Sequence, residues 1–427
     1  MKINIITLGC SKNTVDSENL AGQLKAQGHT VYFDRQRNDC DTVIVNTCGF
    51  IGDAKEESIN TILQQTRHKG KRIIVCGCLV ERYKEQLRKE IPEVDAWYGV
   101  HEWEAIANDL KDSENLKEPE DLKARPLSTP THYAYLKIAE GCNRSCSYCA
   151  IPLIRGAHKS RPIEDIVSEA RTLVQSGVKE LIVISQDTTW YGLDLYHRRA
   201  LGELLNRLAE ESGASWIRLH YTYPSSFPED AIDAIVRHPN ICNYIDIPLQ
   251  HINSRILSSM QRGIDREGTL RLLDTFRAKL PDAAIRTTLI VGYPGETEAD
   301  FQELCDFVRT ARFDRMGCFA YSPEEGTPAE HLGDPVPDEV KQQRVSDLMA
   351  IQEQISLEKN QARVGKVYRC LVDRIEDEYI VARTEYDSPE VDDEVLIKQT
   401  KGGIRPGDFV DVRVTQALEN DLLGELV

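Results

Sequence analysis

Two stretches of this sequence alternate short β-rich runs with helical segments, an order that leads to parallel sheets flanked by helices. In the first hundred residues KINIITL, TVYF, DTVIVNT, RIIVCG and AWYGV read as strands. Between them lie segments such as VDSENLAGQLKAQG and DAKEESINTILQQTRHKG. A polar tract rich in Lys, Glu and Pro follows and reads as a linker. A second series begins near Tyr133 with AYLKIAEG, ELIVISQD, WIRLHYTYP, YIDIPLQ, AIRTTLIVGYPG and RMGCFAYSP as its strands. Six βα units are fewer than the eight that close a barrel, so a partial, TIM-like (βα)6 barrel is expected. The last stretch carries short strands with turn signals such as RPGD, the pattern of a small antiparallel, OB-like β-barrel. The chain is therefore read as α/β, with an open parallel-sheet domain at 1–112, a linker at 113–132, the partial barrel at 133–362 and the small barrel at 363–427.

Composition narrows the function classes. The formal net charge is −17, which argues against a broad nucleic-acid-binding face. Twelve cysteines in 427 residues are too sparse for a disulfide scaffold. The opening MKINIITLGC is too short an apolar run for a secretory segment, and no run approaches a membrane span. A soluble, cytoplasmic protein with reduced thiols and no membrane partner is expected.

The stretch EGCNRSCSYCAIP then sets Cys142, Cys146 and Cys149 in C-x₃-C-x₂-C spacing. It follows the first strand of the second series, at the end where barrel-like folds build their sites. Thiolates suit zinc or iron–sulfur clusters. A structural zinc site wants a fourth ligand, and no second cysteine pair lies close by. Three thiolates on a four-iron cluster leave one iron open to a small molecule. Cys10, Cys48 and Cys78 follow three strands of the first series, whose C-terminal ends share one sheet edge. Taken alone they read as core thiols. Cys76, two residues before Cys78 on the same strand face, competes with it, and Cys78 is preferred as nearer the strand end. Cys40, Cys242, Cys305, Cys318 and Cys370 fit no such pattern.

TLGCSKN, NTCGFI, GCLVERY and EGCNRSCSYCAIP, together with the C-terminal stretch, resemble the methylthiotransferases, a branch of the radical S-adenosylmethionine enzymes. The resemblance covers nearly the whole chain, with the small barrel as a TRAM domain. It implies two four-iron four-sulfur clusters, on Cys142, Cys146 and Cys149 and on Cys10, Cys48 and Cys78. It also implies S-adenosylmethionine as the fourth partner of the first cluster, bound through its amino and carboxylate groups. The electron delivered there breaks the sulfonium bond and yields a 5′-deoxyadenosyl radical, while the N-terminal cluster carries or receives the sulfur. Tyr148 takes the place of an aromatic residue that packs near the adenine. An electron donor such as flavodoxin or ferredoxin is implied as a partner.

The family has two main substrates, an adenosine beside the tRNA anticodon and an aspartate β-carbon of ribosomal protein S-twelve, free or in the small subunit. GCSKN, IPLIRGAHKSR, DIPLQH and SSMQRG resemble the second branch. Residues 360–427 hold nine Lys and Arg against fifteen Asp and Glu, which suits a basic protein better than tRNA. A metal-stabilised binding module without catalysis is the reading from another class.

Other residues are weaker candidates. Arg155, His158, Lys159 and Arg161 are expected to bind either a cofactor or a substrate carboxylate, or to form a solvated basic loop. Gly292 and Gly295 stand at a strand end where backbone can approach a ligand closely, a cofactor-lining segment by the resemblance or else a plain βα turn. Gln186, Asp187, Gln250 and His251 occupy strand ends. No general acid or base is assigned.

Overall fold

The computed structural model describes residues 1–33, 39–68, 70–111, 125–376, 378–398 and 403–427. The expected linker at 113–132 lies outside the described residues up to 124. The chain forms two compact units: Met1–Thr129, Tyr135–Asn143 and Ala150–Lys159 make the first, and Pro130–Ala134, Arg144–Cys149 and Ser160–Val427 make the second.

The first unit is built on β1 (Lys2–Thr7), β2 (Thr30–Tyr32), β3 (Thr42–Thr47), β4 (Arg72–Gly77) and β5 (Ala96–Tyr98). Helices α1 (Ser11–Ala26), α2 (Gly52–Thr66), α3 (Cys78–Glu90) and α4 (Trp103–Asp109) connect or follow them. The strands pair in the order β2-β1-β3-β4-β5, and every pair is parallel. Central β3 is buried at all six residues, as a strand covered on both faces must be. Alternation along β4 divides its side chains between two cores. Ile73 and Val75 join Ile62 of α2 and Leu87 of α3, whereas Ile74 and Cys76 join Leu20 of α1 and Ile106 of α4. This order changes direction between β1 and β3, and ligands of such sheets bind outside the strand ends at that point.

Gly77 ends β4 at φ +100°, ψ −159°, a region open essentially to glycine. A Cβ there would stand 2.7 Å from the Thr47 carbonyl oxygen. The turn takes Cys78 off the strand and makes it the first residue of α3. The expectation that Cys76 and Cys78 share a strand face therefore fails: Cys76 is sealed in the α1–α4 core, and only Cys78 stays at the sheet edge. Gly77→Ala is expected to cost roughly 3 kcal/mol through the positive φ and the contact with Thr47. Chemical denaturation checks this, and a loss within about 0.5 kcal/mol, an ordinary surface value, would contradict it.

The second unit carries the βα series. Its strands are Tyr133–Lys137 (whose opening residues belong to this unit), Glu180–Ile184, Trp216–Leu219, Tyr244–Asp246, Ala284–Val291 and Arg315–Ala320. They form two three-stranded sheets, one of the first three strands and one of the last three, and a parallel bridge pairs Ile217 with Ile241. Six βα units are thus present, as the sequence predicts.

The same unit holds a closed barrel of Val367–Ile375, Tyr379–Thr384, Glu394–Lys398, Asp421–Leu426 and Phe409–Ala417, in that spatial order. It is not wholly antiparallel as expected, because Glu394–Lys398 and Asp421–Leu426 run parallel. A ring of five strands cannot alternate direction all the way round, so one neighbouring pair must be parallel. The small barrel packs on the strand starts of the βα series. Glu180, which opens the second strand, lies between Arg218 at 2.7 Å and Arg383 at 2.5 Å. Tyr244, which opens the fourth strand, donates to Asp392 at 2.6 Å. Glu180 is fully buried, yet its two arginines hold its carboxyl at about 2 against the upward push of burial. With its N-terminal mouth covered in this way, the βα series keeps its C-terminal mouth for chemistry.

Candidate metal and cofactor sites

The first site begins with three thiols at helix N-termini or beside them. Cys10 is the N-cap of α1, and Cys78 is the first residue of α3. Cys48 follows β3, and its backbone N–H donates to Ser58 of α2 at 3.0 Å. Gly49 lets the Cys48 loop lie on the first turn of α3, since a Cβ there would stand 2.7 Å from the Leu79 Cα. Cys48 lies against the residue before Cys10, since a Cβ at Gly9 would stand 2.8 Å from the Cys48 Cβ. Burial pushes Cys78 up to about 11, and the Arg155 guanidinium opposes that rise. Burial also pushes Cys48 up, while the Phe50 backbone N–H opposes it. Such thiols rest protonated near neutral pH, and ligation draws their protons off. Helix N-termini and a neighbouring cation favour the thiolate form, so the donor set fits a soft metal cluster.

Arg155 closes this site from one side. Its Nη2 donates to Asn13 Oδ1 at 2.5 Å and to Cys78 Sγ at 3.3 Å. Its Nη1 donates to Asp16 at 2.7 Å and to Glu140 at 3.2 Å. The Arg155 and Asp16 side chains are 2% and 3% exposed, and removing either leaves the other buried with a remaining charged partner, Glu140 for Arg155 and Lys137 for Asp16. The expectation that Arg155 grips a cofactor or substrate carboxylate is overturned in this structure, because two of the chain's own carboxylates already occupy it. Arg161 likewise pairs with Glu169 at 2.7 Å, Lys159 is exposed, and the buried His158 donates its backbone N–H to Asn143 at 3.0 Å.

The C-x₃-C-x₂-C cysteines fall in both units. In the first, Cys142 is half-buried and its backbone N–H donates to the Gly156 carbonyl at 3.0 Å. In the second, the Cys149 N–H donates to the Cys146 carbonyl at 3.1 Å, a tight turn that keeps the two thiols on one loop. Cys146 Sγ receives Arg262 Nη1 at 3.2 Å and lies 3.5 Å from the Tyr223 hydroxyl. Tyr223 is sandwiched by two guanidinium groups, Arg144 at 3.8 Å and Arg262 at 4.1 Å from its ring centre. Arg144 in turn is held by Asp187 at 2.7 Å. Tyr148 packs against the cluster of Ile256, Met260, Tyr293, Tyr321 and Ala329, and its hydroxyl accepts from Arg262 at 3.3 Å. Arg262 thus stands at the Cys146 sulfur, and Arg144 on the Tyr223 ring beside it.

The strand-end candidates are placed unevenly. Gln250 holds a left-handed backbone at φ +76°, and its buried Oε1 has no partner among the described residues. That combination marks a position kept under strain, as ligand-binding residues are. His251 is fully buried, 3.6 Å from Glu296, and Glu296 also accepts the Gly292 N–H at 2.9 Å. Asp187 is spent on Arg144 and Thr189, and Gln186 lies beside it at the same strand end. Sequence reasoning missed Arg144, Tyr223 and Arg262. The first lies inside the cysteine motif and the last inside SSMQRG, so the signal was present but was read only as spacing or resemblance. Among the described residues no three His, Cys, Asp or Glu side chains converge as a lone metal ion requires. No helix among them is long and apolar enough to cross a membrane.

Arg262 offers a direct check on the Cys146 surroundings. Arg262→Lys keeps a cation but loses the fork whose Nη1 reaches Cys146 Sγ and the Tyr148 hydroxyl while Nη2 donates to the Pro248 carbonyl. Charge-assisted bonds of this kind contribute about 1.5–3 kcal/mol, so cofactor cleavage is expected to slow roughly ten- to hundredfold with the fold unchanged. Rates equal to the parent protein would contradict it.

Comparison with known proteins agrees with this layout. Residues 2–99 match the family described as Uncharacterized protein family UPF0004, residues 136–308 the Radical SAM superfamily, and residues 364–427 the TRAM domain. The ribosomal protein uS12 methylthiotransferase RimO of Flavobacterium psychrophilum is 55% identical, with 99% of this chain and 98% of that protein aligned. The protein of the same name from Bacteroides fragilis is 51% identical over 100% of this chain and 99% of its own. Among solved structures, the radical S-adenosylmethionine methyltransferase TsrM of Kitasatospora setae shares the fold at a TM-score of 0.55 and 13% identity, over 89% of this chain and 80% of that one. With two three-cysteine sets on this framework and relatives above half identity along its full length, the chain belongs to the RimO family of radical S-adenosylmethionine methylthiotransferases.

Proposed function

We propose that this protein inserts a methylthio group at the β-carbon of an aspartate in ribosomal protein uS12, free or within the small subunit. One observation carries this reading: a chain aligned end to end with uS12 methylthiotransferases keeps two separate sets of three cysteines. When bound, the clusters and S-adenosylmethionine supply the electron, the radical precursor and the transferred sulfur. Cys142, Cys146 and Cys149 hold the cofactor-binding cluster, and Cys10, Cys48 and Cys78 hold the second. Arg262 and Tyr223 fix Cys146, and Tyr148 lies against the adenine. Gln250 offers its unpartnered carbonyl to the cofactor. The proposed domains are 1–112, 133–362 and 363–427, joined by 113–132. An electron donor such as flavodoxin or ferredoxin reduces the protein, and the setting is cytoplasmic.

Methylthiolation of tRNA adenosine is the alternative substrate reading. The net −6 of residues 360–427 weighs against it, because phosphate binding calls for cations. The class of the protein is tested by anaerobic reconstitution of the full chain. A radical enzyme with two clusters binds about eight irons per chain and cleaves S-adenosylmethionine on reduction. A chain that takes up zinc instead and leaves the cofactor intact is a binding module, and the proposal falls.

A further inference from the structure

Arg155 joins two groups that neither the family assignment nor the cysteine pattern connects. On one side its guanidinium is fixed by the carboxylates of Asp16 and Glu140. On the other it reaches Cys78 Sγ at 3.3 Å and the Asn13 amide oxygen. Asn13 is itself oriented, because its Nδ2 donates to the Leu8 carbonyl at 2.8 Å and to the Thr47 carbonyl at 3.1 Å. Those two carbonyls belong to the segments that precede Cys10 and Cys48. Lys137 also donates to Asp16 and Glu140, so the two carboxylates are shared between two cations. The two carboxylates accept from Nη1 alone, and Nη2 turns to the Asn13 oxygen and the Cys78 sulfur.

We propose that Arg155 is a positioning residue for the N-terminal cluster, setting its reduction potential through a hydrogen bond and a fixed positive charge at the Cys78 sulfur. Hydrogen bonds to ligand sulfurs and local charge are among the protein's levers on cluster potential. The inference rests on the reading of Cys10, Cys48 and Cys78 as cluster ligands. Asp16 acts through Arg155 with the opposite sign, since its carboxylate partly cancels the guanidinium charge.

The test uses the full chain with Cys142, Cys146 and Cys149 replaced by alanine, which leaves one cluster to observe. Iron content, circular dichroism and a spectroscopically followed redox titration are compared for the parent, Arg155→Gln, Arg155→Lys and Asp16→Asn. The expected result is a midpoint shifted to more negative potential in Arg155→Gln, largely restored in Arg155→Lys and shifted to more positive potential in Asp16→Asn. The Asp16 variant keeps Glu140 as a partner for Arg155, so the sign of its shift is read even where Arg155→Gln does not fold. Iron-loaded, folded variants with unchanged midpoints overturn the inference alone. A parent protein that binds no iron once the three motif cysteines are gone overturns the second-site reading, and this inference with it.

Discussion

Alanine at Cys142, Cys146 or Cys149 is expected to abolish reductive cleavage of S-adenosylmethionine, a loss of at least about a thousandfold, or some 4 kcal/mol of barrier. The size of the effect follows from the ligand count. A three-thiolate cluster has no spare protein ligand, and the open iron is where the cofactor's own groups belong. Cys146 shows the setting most clearly. Its sulfur is held by Arg262 at 3.2 Å and approached by the Tyr223 hydroxyl at 3.5 Å, contacts that alanine cannot replace. Iron content should fall by about half, to that of the second cluster. Cofactor cleavage at the parent rate in any of the three variants would remove the motif from the chemistry.

Alanine at Cys10, Cys48 or Cys78 should give a different result. Cofactor cleavage survives, while the methylthiolated product disappears. The prediction follows from the division of labour proposed for the two sites, and product analysis beside 5′-deoxyadenosine measurement reads both parts at once. Cys76→Ala is the internal control. That side chain lies in the core between β4, α1 and α4, so its loss should cost about 1 kcal/mol of stability and leave the product in place. Product from Cys78→Ala at the parent level, or loss of product from Cys76→Ala with the fold intact, would reverse the assignment.

The contrast between Cys76 and Cys78 shows what the sequence made legible. The alternation of β-rich runs with helical segments placed the strands of the first unit, and six βα units were countable in the second. Period-two spacing misjudged Cys78, because one glycine at φ +100° converts a strand end into a helix start. That is a backbone event with no hydrophobic signature. The triad Cys142, Cys146 and Cys149 could be read from spacing alone, since its members are seven residues apart at most. The set Cys10, Cys48 and Cys78 was read from three strand ends on one sheet edge together with the family resemblance, and the strand order β2-β1-β3-β4-β5 sets β1, β3 and β4 side by side. Arg155 was misread for a related reason. A lone arginine after a cysteine motif suggests a free cation, and its two carboxylate partners come from Asp16 and Glu140, one of them 139 residues away. The parallel pair in the small barrel was hidden too, because closure imposes it and local sequence does not.

The central claim is the identity of the substrate, and an anaerobic competition tests it most directly. Reconstituted protein, reductant and S-adenosylmethionine are given ribosomal protein uS12 and tRNA lacking the methylthio group together, and both are then analysed by mass spectrometry. The account predicts a methylthio increment on an aspartate of uS12, with tRNA unchanged. An increment on a tRNA adenosine, with uS12 unchanged, would contradict it.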